Sequence, residues 1–264
     1  MLARTMPTRS SPAWLRVCAA AAVCLAVATC RPNASPAADW GGLEVQVVTG
    51  MAEKEPGGTA VILLHGWGAD GDDLVPLAQE LRGPRIRVIV PAAPLPHPHG
   101  GRMWWALDLD RRRQAIARGP ERQLATEVPP GLAPARAKVQ ALLRQVRERF
   151  RPQVLVVAGF SQGGMLATDV GLAADPPVDK LASLSGTFIA EPVWRERLKQ
   201  IRRKPAVLLS HGREDALLPF AASERLRQVL VDAGFDVTWI PFAGGHAIPG
   251  EVIARLRTFL QPAK

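Results

Sequence analysis

Beyond residue 30 the chain contains no cysteine: Cys18, Cys24 and Cys30 all lie near the start of its 264 residues. The body therefore folds without intrachain disulfides, even in an oxidising compartment. A run long enough to cross a bilayer is also missing. The apolar stretch VCAAAAVCLAVA (Val17 to Ala28) falls short of the roughly 20 residues a spanning helix needs. The formal charge is +9, but its arginines are scattered among apolar helix positions, with local clusters only at Arg111 to Arg113 and Arg202 to Lys204. No interleaving of aromatic and basic residues marks a nucleic-acid groove, so the charge is read as an Arg-rich solvated surface and nucleic acid is not an expected partner. Metal sites are poorly supported too. His97 and His99 sit in a proline-rich loop without a neighbouring cysteine or carboxylate pair, and Asp70, Asp72 and Asp73 lack the spacing and terminal Glu of an EF-hand loop. No metal and no organic cofactor are expected, and no internal repeat is present.

What is present is a leader followed by one domain. Arg4, Arg9 and Arg16 precede the apolar run, which gives residues 1–30 the charged start and apolar middle of an export signal. The end of that run, LAVATC (Leu25 to Cys30), resembles the lipobox of bacterial lipoprotein precursors, with Thr29 in place of the usual Gly or Ala. That resemblance implies lipidation at Cys30, a membrane tether and an exported location. The competing reading is ordinary secretion, with cleavage in NASPAA (Asn33 to Ala38). A Pro/Ala/Ser-rich linker over 31–42 then leads into a domain over 43–264.

Within that domain, strand-length apolar runs alternate with longer periodic segments. The runs are LEVQVV (Leu43 to Val48), AVILL (Ala60 to Leu64), IRVIV (Ile86 to Val90), VLVVA (Val154 to Ala158), LASLS (Leu181 to Ser185), AVLLS (Ala206 to Ser210) and DVTWI (Asp236 to Ile240). Several are apolar throughout, as parallel strands covered on both faces require. From Pro134, the residues Val139, Leu142, Val146 and Phe150 fall on one helix face. From Pro219, so do Ala222, Leu226, Val229 and Ala233, with Gly234 closing that helix. The fold class is therefore α/β, with a mostly parallel central sheet flanked by helices. The Pro-, Gly- and Arg-rich segment 91–133 is expected to lack strands and to form a lid or pocket wall.

Gly159-Phe160-Ser161-Gln162-Gly163 fits G-x-S-x-G, with an apolar strand before it and a helix-forming segment, MLATDVGLA, after it. A sharp strand-to-helix turn lifts the serine hydroxyl clear of the sheet, and small flanking residues let the backbones approach. A serine needs a base within reach and a carboxylate to orient that base, in the chain order Ser, acid, His. His211 and His246 are the histidines downstream of Ser161. His246, after the flexible PFAGG, fits the order; His211 is read as packed under a strand end. The acid is Asp215 or its neighbour Glu214. Backbone N–H groups of Gln162 and of Trp67, in the glycine-rich loop LHGWGADGDD, are the expected oxyanion donors. His65 in that loop reads as a structural hydrogen-bonding residue, and Trp104 and Trp105 are candidates to line a substrate pocket.

Four stretches, LHGWGADGDDLVPLA from Leu64, GFSQGGM from Gly159, SHGREDALLP from Ser210 and GGHAIPGE from Gly244, resemble the phospholipase/carboxylesterase branch of the α/β-hydrolase superfamily, which includes acyl-protein thioesterases. The proline-rich segment Pro91 to Leu109 is similar as well, and the likeness runs from about residue 58 to 260. It implies an α/β-hydrolase fold, with Ser161 as nucleophile, Asp215 as orienting acid, His246 as base, and Trp67 and Gln162 as oxyanion donors. Trp67 stands where many relatives carry leucine. The expected activity is hydrolysis of short- to medium-chain carboxylic esters, including lysophospholipids or thioesters, through an acyl-enzyme. Two alternatives accompany it: an exported feruloyl, acetylxylan or polyester-type esterase, and a catalytically idle hydrolase-fold binding lipoprotein.

Overall fold

Strands that are apolar at every position need cover on both faces, and that requirement shapes the molecule. The computed structural model describes residues 38–52, 55–108, 125–173 and 175–262. The expected leader over 1–30, with Cys30, and residues 109–124 lie outside the described residues. The strands are β1 (Ala38–Asp39), β2 (Glu44–Thr49), β3 (Thr59–Leu64), β4 (Ile86–Pro91), β5 (Leu95–Pro96), β6 (Arg102–Met103), β7 (Val154–Phe160), β8 (Lys180–Leu184), β9 (Ala206–Gly212) and β10 (Val237–Phe242). Eight of them form one sheet in the order β1-β2-β4-β3-β7-β8-β9-β10. From β4 to β10 every neighbouring pair is parallel, and the edge strands β1 and β2 are antiparallel. Both β3 and β4 are buried at all six positions. In β3, Ala60, Ile62 and Leu64 enter the core on one face while Val61 and Leu63 enter it on the other, the two-residue period of a pleated strand.

The helices are α1 (Val75–Leu81), α2 (Leu132–Phe150), α3 (Gln162–Gly171), α4 (Glu191–Gln200), α5 (Phe220–Asp232) and α6 (Gly250–Phe259). Buried residues of α1 and α6 join one core; those of α2, α3, α4 and α5 join the other. In α2 the stripe Val139, Leu142, Val146 and Phe150 faces inward, as its spacing predicts. This is the α/β-hydrolase architecture, a mostly parallel sheet flanked by helices.

Helix α3 is buried along its whole length, an unusual position for a segment carrying a carboxylate. Its Asp169 is fully buried and paired with Arg136 of α2 and Arg197 of α4, each at 2.7 Å, and it accepts the Trp194 indole N–H at 2.8 Å. A buried charge persists only when paired and hydrogen-bonded, so this cluster locks α3 to the helices on either side.

Two segments differ from the sequence reading. The stretch 91–133 is not free of strands, because β5 and β6 pair antiparallel within it. The two are short and Pro96 cannot donate a ladder hydrogen bond, so neither shows the alternation that marks a strand. In the expected linker over 31–42, β1 pairs with β2, and Trp40 is buried against Phe150 with ring centroids 5.6 Å apart. The packed body thus starts before residue 43.

Candidate active site

The strand-to-helix turn forms where the sequence places it. Strand β7 ends at Phe160, α3 begins at Gln162, and Ser161 between them adopts φ 54°, ψ −118°. The glycines on either side are required by contact with backbone. A Cβ on Gly159 would lie 2.2 Å from the Gly163 carbonyl oxygen, and one on Gly163 would lie 2.2 Å from that of Leu64. Both are far inside van der Waals contact, and a main-chain oxygen has little room to yield. Because α3 starts at Gln162, the first N–H groups of the helix have no preceding turn to bond and stand beside the serine.

The candidate acid and base come from the ends of the last two strands. Asp215 follows β9 and His246 follows β10, and these loops touch through their backbones. Arg213 N–H donates to Phe242 O at 2.9 Å and Glu214 N–H to Gly244 O at 3.0 Å. A Cβ on Gly212 would collide with Gly245 O at 2.2 Å. The result is a hydrogen bond of 2.7 Å from His246 Nδ1 to Asp215 Oδ2. The other carboxylate oxygen, Oδ1, accepts the N–H groups of Leu217 and Leu218, each at 2.9 Å. Burial alone would raise the Asp215 carboxyl, but hydrogen bonds from His211, His246 and Leu218 outweigh it and hold the group far below the ordinary carboxylate range. Glu214 is exposed. The His246 ring lies 4.8 Å from that of Phe160, the residue before Ser161. Ser185 Oγ, donating to Ala247 O at 3.0 Å, fixes the histidine loop from β8's end. The Ser161 hydroxyl makes no hydrogen bond among the described residues, a common state for a catalytic hydroxyl without substrate.

The glycine-rich loop after β3 approaches from the opposite side. A Cβ on Gly66 would sit 3.4 Å from Ser161 Cβ, which places the next peptide, that of Trp67, beside the nucleophile. The Trp67 N–H has no partner among the described residues. The loop is held by β6, through Gly68 N–H to Arg102 O at 2.9 Å and Arg102 N–H to Ala69 O at 2.7 Å. His65 takes the structural role expected for it. Its Nδ1 donates to Gly66 O at 2.7 Å and its Nε2 accepts from Ala93 N–H at 2.9 Å. Burial pushes this imidazole down, which suits a ring with one donor and one acceptor.

The side chain of Gln162 has a role that sequence reasoning missed. Its Oε1 accepts Trp104 N–H at 3.0 Å and its Nε2 donates to Trp105 O at 2.9 Å. The amide thereby clamps the tryptophan segment to the nucleophile turn. Nothing in a single sequence links positions 57 or 58 residues apart. Of the two tryptophans, Trp105 lines a cavity of about 400 Å³ with Leu107, Met165, Phe188 and Ile189. Both tryptophans are almost wholly buried, but Trp104 is not part of the cavity wall, and its indole N–H donates to His65 O at 2.9 Å. Met165, one helical turn after Ser161 and bonded to it through the backbone (Met165 N–H to Ser161 O, 3.1 Å), connects the cavity wall to the Ser161 turn. His97 packs edge-on against Trp67, ring centroids 4.1 Å apart, and no metal-holding group of three His, Cys, Asp or Glu occurs among the described residues.

Comparison with known proteins supports the fold. A family model described as phospholipase/carboxylesterase matches residues 46–263. The chain is 31% identical to the structure of esterase PE8, with a TM-score of 0.69 over 83% of this chain and 97% of that one. It is 26% identical to a probable carboxylesterase of Oryza sativa subsp. japonica over 76% of each chain. It is also 27% identical to acyl-protein thioesterase 1 of Gibberella zeae over 42% of this chain, a match spanning about half (48%) of that protein.

The contact at Gly163 makes a direct prediction. Gly163→Ala should displace the start of α3 and lower kcat/KM toward a simple aryl ester by about 100-fold, the scale expected of a misplacement near 1 Å. Gly250→Ala, where a Cβ meets nothing within 4 Å, should leave it unchanged. Equal kinetics for the two variants would show that the close approach does not position the serine.

Proposed function

The chain belongs to the phospholipase/carboxylesterase family, and from that premise we propose that it is a serine esterase working through an acyl-enzyme. The observation that carries this reading is the 2.7 Å bond between His246 Nδ1 and Asp215 Oδ2 in a loop pair packed against the Ser161 turn. With Nδ1 committed to the carboxylate, Nε2 is the nitrogen left to accept the Ser161 proton. Ser161 Oγ then bonds to the acyl carbon, and the N–H groups of Trp67 and Gln162 hold the oxyanion. The same proton passes from His246 to the departing alcohol or thiol. Water, deprotonated by His246, next attacks the acyl-enzyme, and the acid is released as Ser161 regains its proton.

The apolar wall of Trp105, Leu107, Met165, Phe188 and Ile189 supports an acyl group of short to medium length as the part of the substrate that enters the cavity. Esters of small alcohols, lysophospholipids and thioesters share that requirement. Bulky polymer-linked aryl or sugar esters are the alternative, favoured by the export leader. An intact set of nucleophile, acid and base disfavours an idle binding protein. We further propose that residues 1–30 are an export leader and that lipid on Cys30 tethers the enzyme to a membrane.

Ser161→Ala should lower turnover on the order of 10⁶-fold while leaving the fold intact. A series of acyl chain lengths assayed beside feruloyl and acetylated sugar esters should peak among the simple acyl esters. Full turnover by the purified variant would overturn the serine mechanism, and a maximum among the polymer-type esters would overturn the substrate reading. For the tether, the N-terminal peptide isolated from the native cell should begin at a lipid-modified Cys30. An unmodified start within Asn33 to Ala38 would refute it.

A further inference from the structure

His211 plays no part in the chemistry above, yet it is completely buried and shares the carboxylate that orients the base. Its Nε2 lies 3.2 Å from Asp215 Oδ2, the oxygen that also receives His246 Nδ1, and 2.9 Å from Leu218 O. Both neighbours of Nε2 are pure acceptors, so this nitrogen carries a proton. Its other nitrogen, Nδ1, lies 2.7 Å from Ser223 Oγ. The Ser223 hydroxyl has one proton, and it is directed at Gly186 O, 2.6 Å away, an atom that only accepts. Ser223 Oγ therefore has lone pairs but no proton to offer the ring, and Nδ1 must donate as well.

The same accounting applied to His65 gives the opposite result. That ring has one acceptor partner, Gly66 O, and one donor partner, Ala93 N–H, and is complete in its neutral form.

We propose that His211 is a positioning residue, an imidazolium held between Ser223 and Asp215 that partly neutralises the Asp215 carboxylate and so keeps His246 free to act as a base in more acidic solution. The proposal rests on the serine-esterase reading for its kinetic consequence, but not for its geometry. One carboxylate oxygen serves two rings. A positive charge on His211 draws on the same negative charge that would stabilise a proton on His246, and like charges near one carboxylate disfavour each other. The charged and titratable groups facing the ring are few. Asp215 comes from its own loop and His246 lies across that carboxylate. Arg213 stacks over Phe220, which in turn packs against His211. Helix α5 presents the neutral Ser223.

Two substitutions and one spectrum test this. In His211→Gln, which keeps a polar side chain without the charge, the acid limb of the kcat/KM profile should move to higher pH by about one unit or more. Ser223→Ala leaves the ring in place but removes the acceptor of Nδ1, and should move the limb the same way by less. A merely structural role would lower activity at all pH values and leave the limb where it was. In the wild-type enzyme at neutral pH, nitrogen-resolved NMR of the histidine rings should show protons on both His211 nitrogens, and on one only of His65. A limb unmoved in both variants, or a single ring proton on His211, overturns the proposal. If instead the wild type has no acid limb and His246→Ala retains turnover, the serine-esterase reading fails, and the His211 proton count still decides the charge.

Discussion

Ser161 adopts a backbone conformation that L-residues rarely occupy, and the rest of the site depends on holding it there. Strain of this kind costs about 1–3 kcal/mol and persists only where the surroundings over-determine it. Here the Ser161 N–H is fixed by Leu184 O at 2.9 Å on one side, and its carbonyl by Met165 N–H on the other. The following helix is buried along its length and anchored through Asp169 to two arginines. Gly163 lets the start of α3 pass β3, and Gly159 lets β7 pass the start of α3, both at main-chain contact. The hydroxyl is thus presented at the carboxyl ends of the parallel strands, where the loops after β3, β9 and β10 also converge.

Polar groups are placed around that point with little waste. Gln162 bonds through its side-chain amide to the Trp104–Trp105 backbone, so one residue couples the Ser161 turn to the cavity wall. Asp215 divides its two oxygens between duties. Oδ1 is taken by two backbone N–H groups that fix the loop, and Oδ2 meets two histidines. The carboxylate that holds the His246 ring is therefore itself held by the backbone, which limits how far that ring can move.

Much of this was legible in the sequence because it follows from local pattern. Continuous apolar runs of strand length such as Ala60–Leu64 suit strands covered on both faces, and the 3.6-residue stripe of Val139, Leu142, Val146 and Phe150 suits a helix face turned inward. The motif at Ser161 carries its own steric logic, and the chain order of serine, acid and histidine limits the partners that can follow. What escaped is non-local. The Gln162 clamp and the Ser223–His211 pair depend on segments that meet only once the sheet has formed. Strands β5 and β6 are too short to show a period, and Trp40, inside a linker-like stretch, declares itself only by packing on Phe150. Trp104 and Trp105 are adjacent in sequence, yet Trp105 lines the cavity while the Trp104 indole bonds to His65 O, a division that no local pattern announces.

The central claim is that Ser161 is the atom donor of a covalent intermediate, activated by His246. The most direct measurement is the peptide-resolved mass of the protein after brief exposure to a fluorophosphonate ester. The account predicts a single adduct on the peptide containing Ser161, formed rapidly by the wild type and hardly at all by His246→Ala. An adduct on another residue, or equal labelling with and without His246, would contradict it.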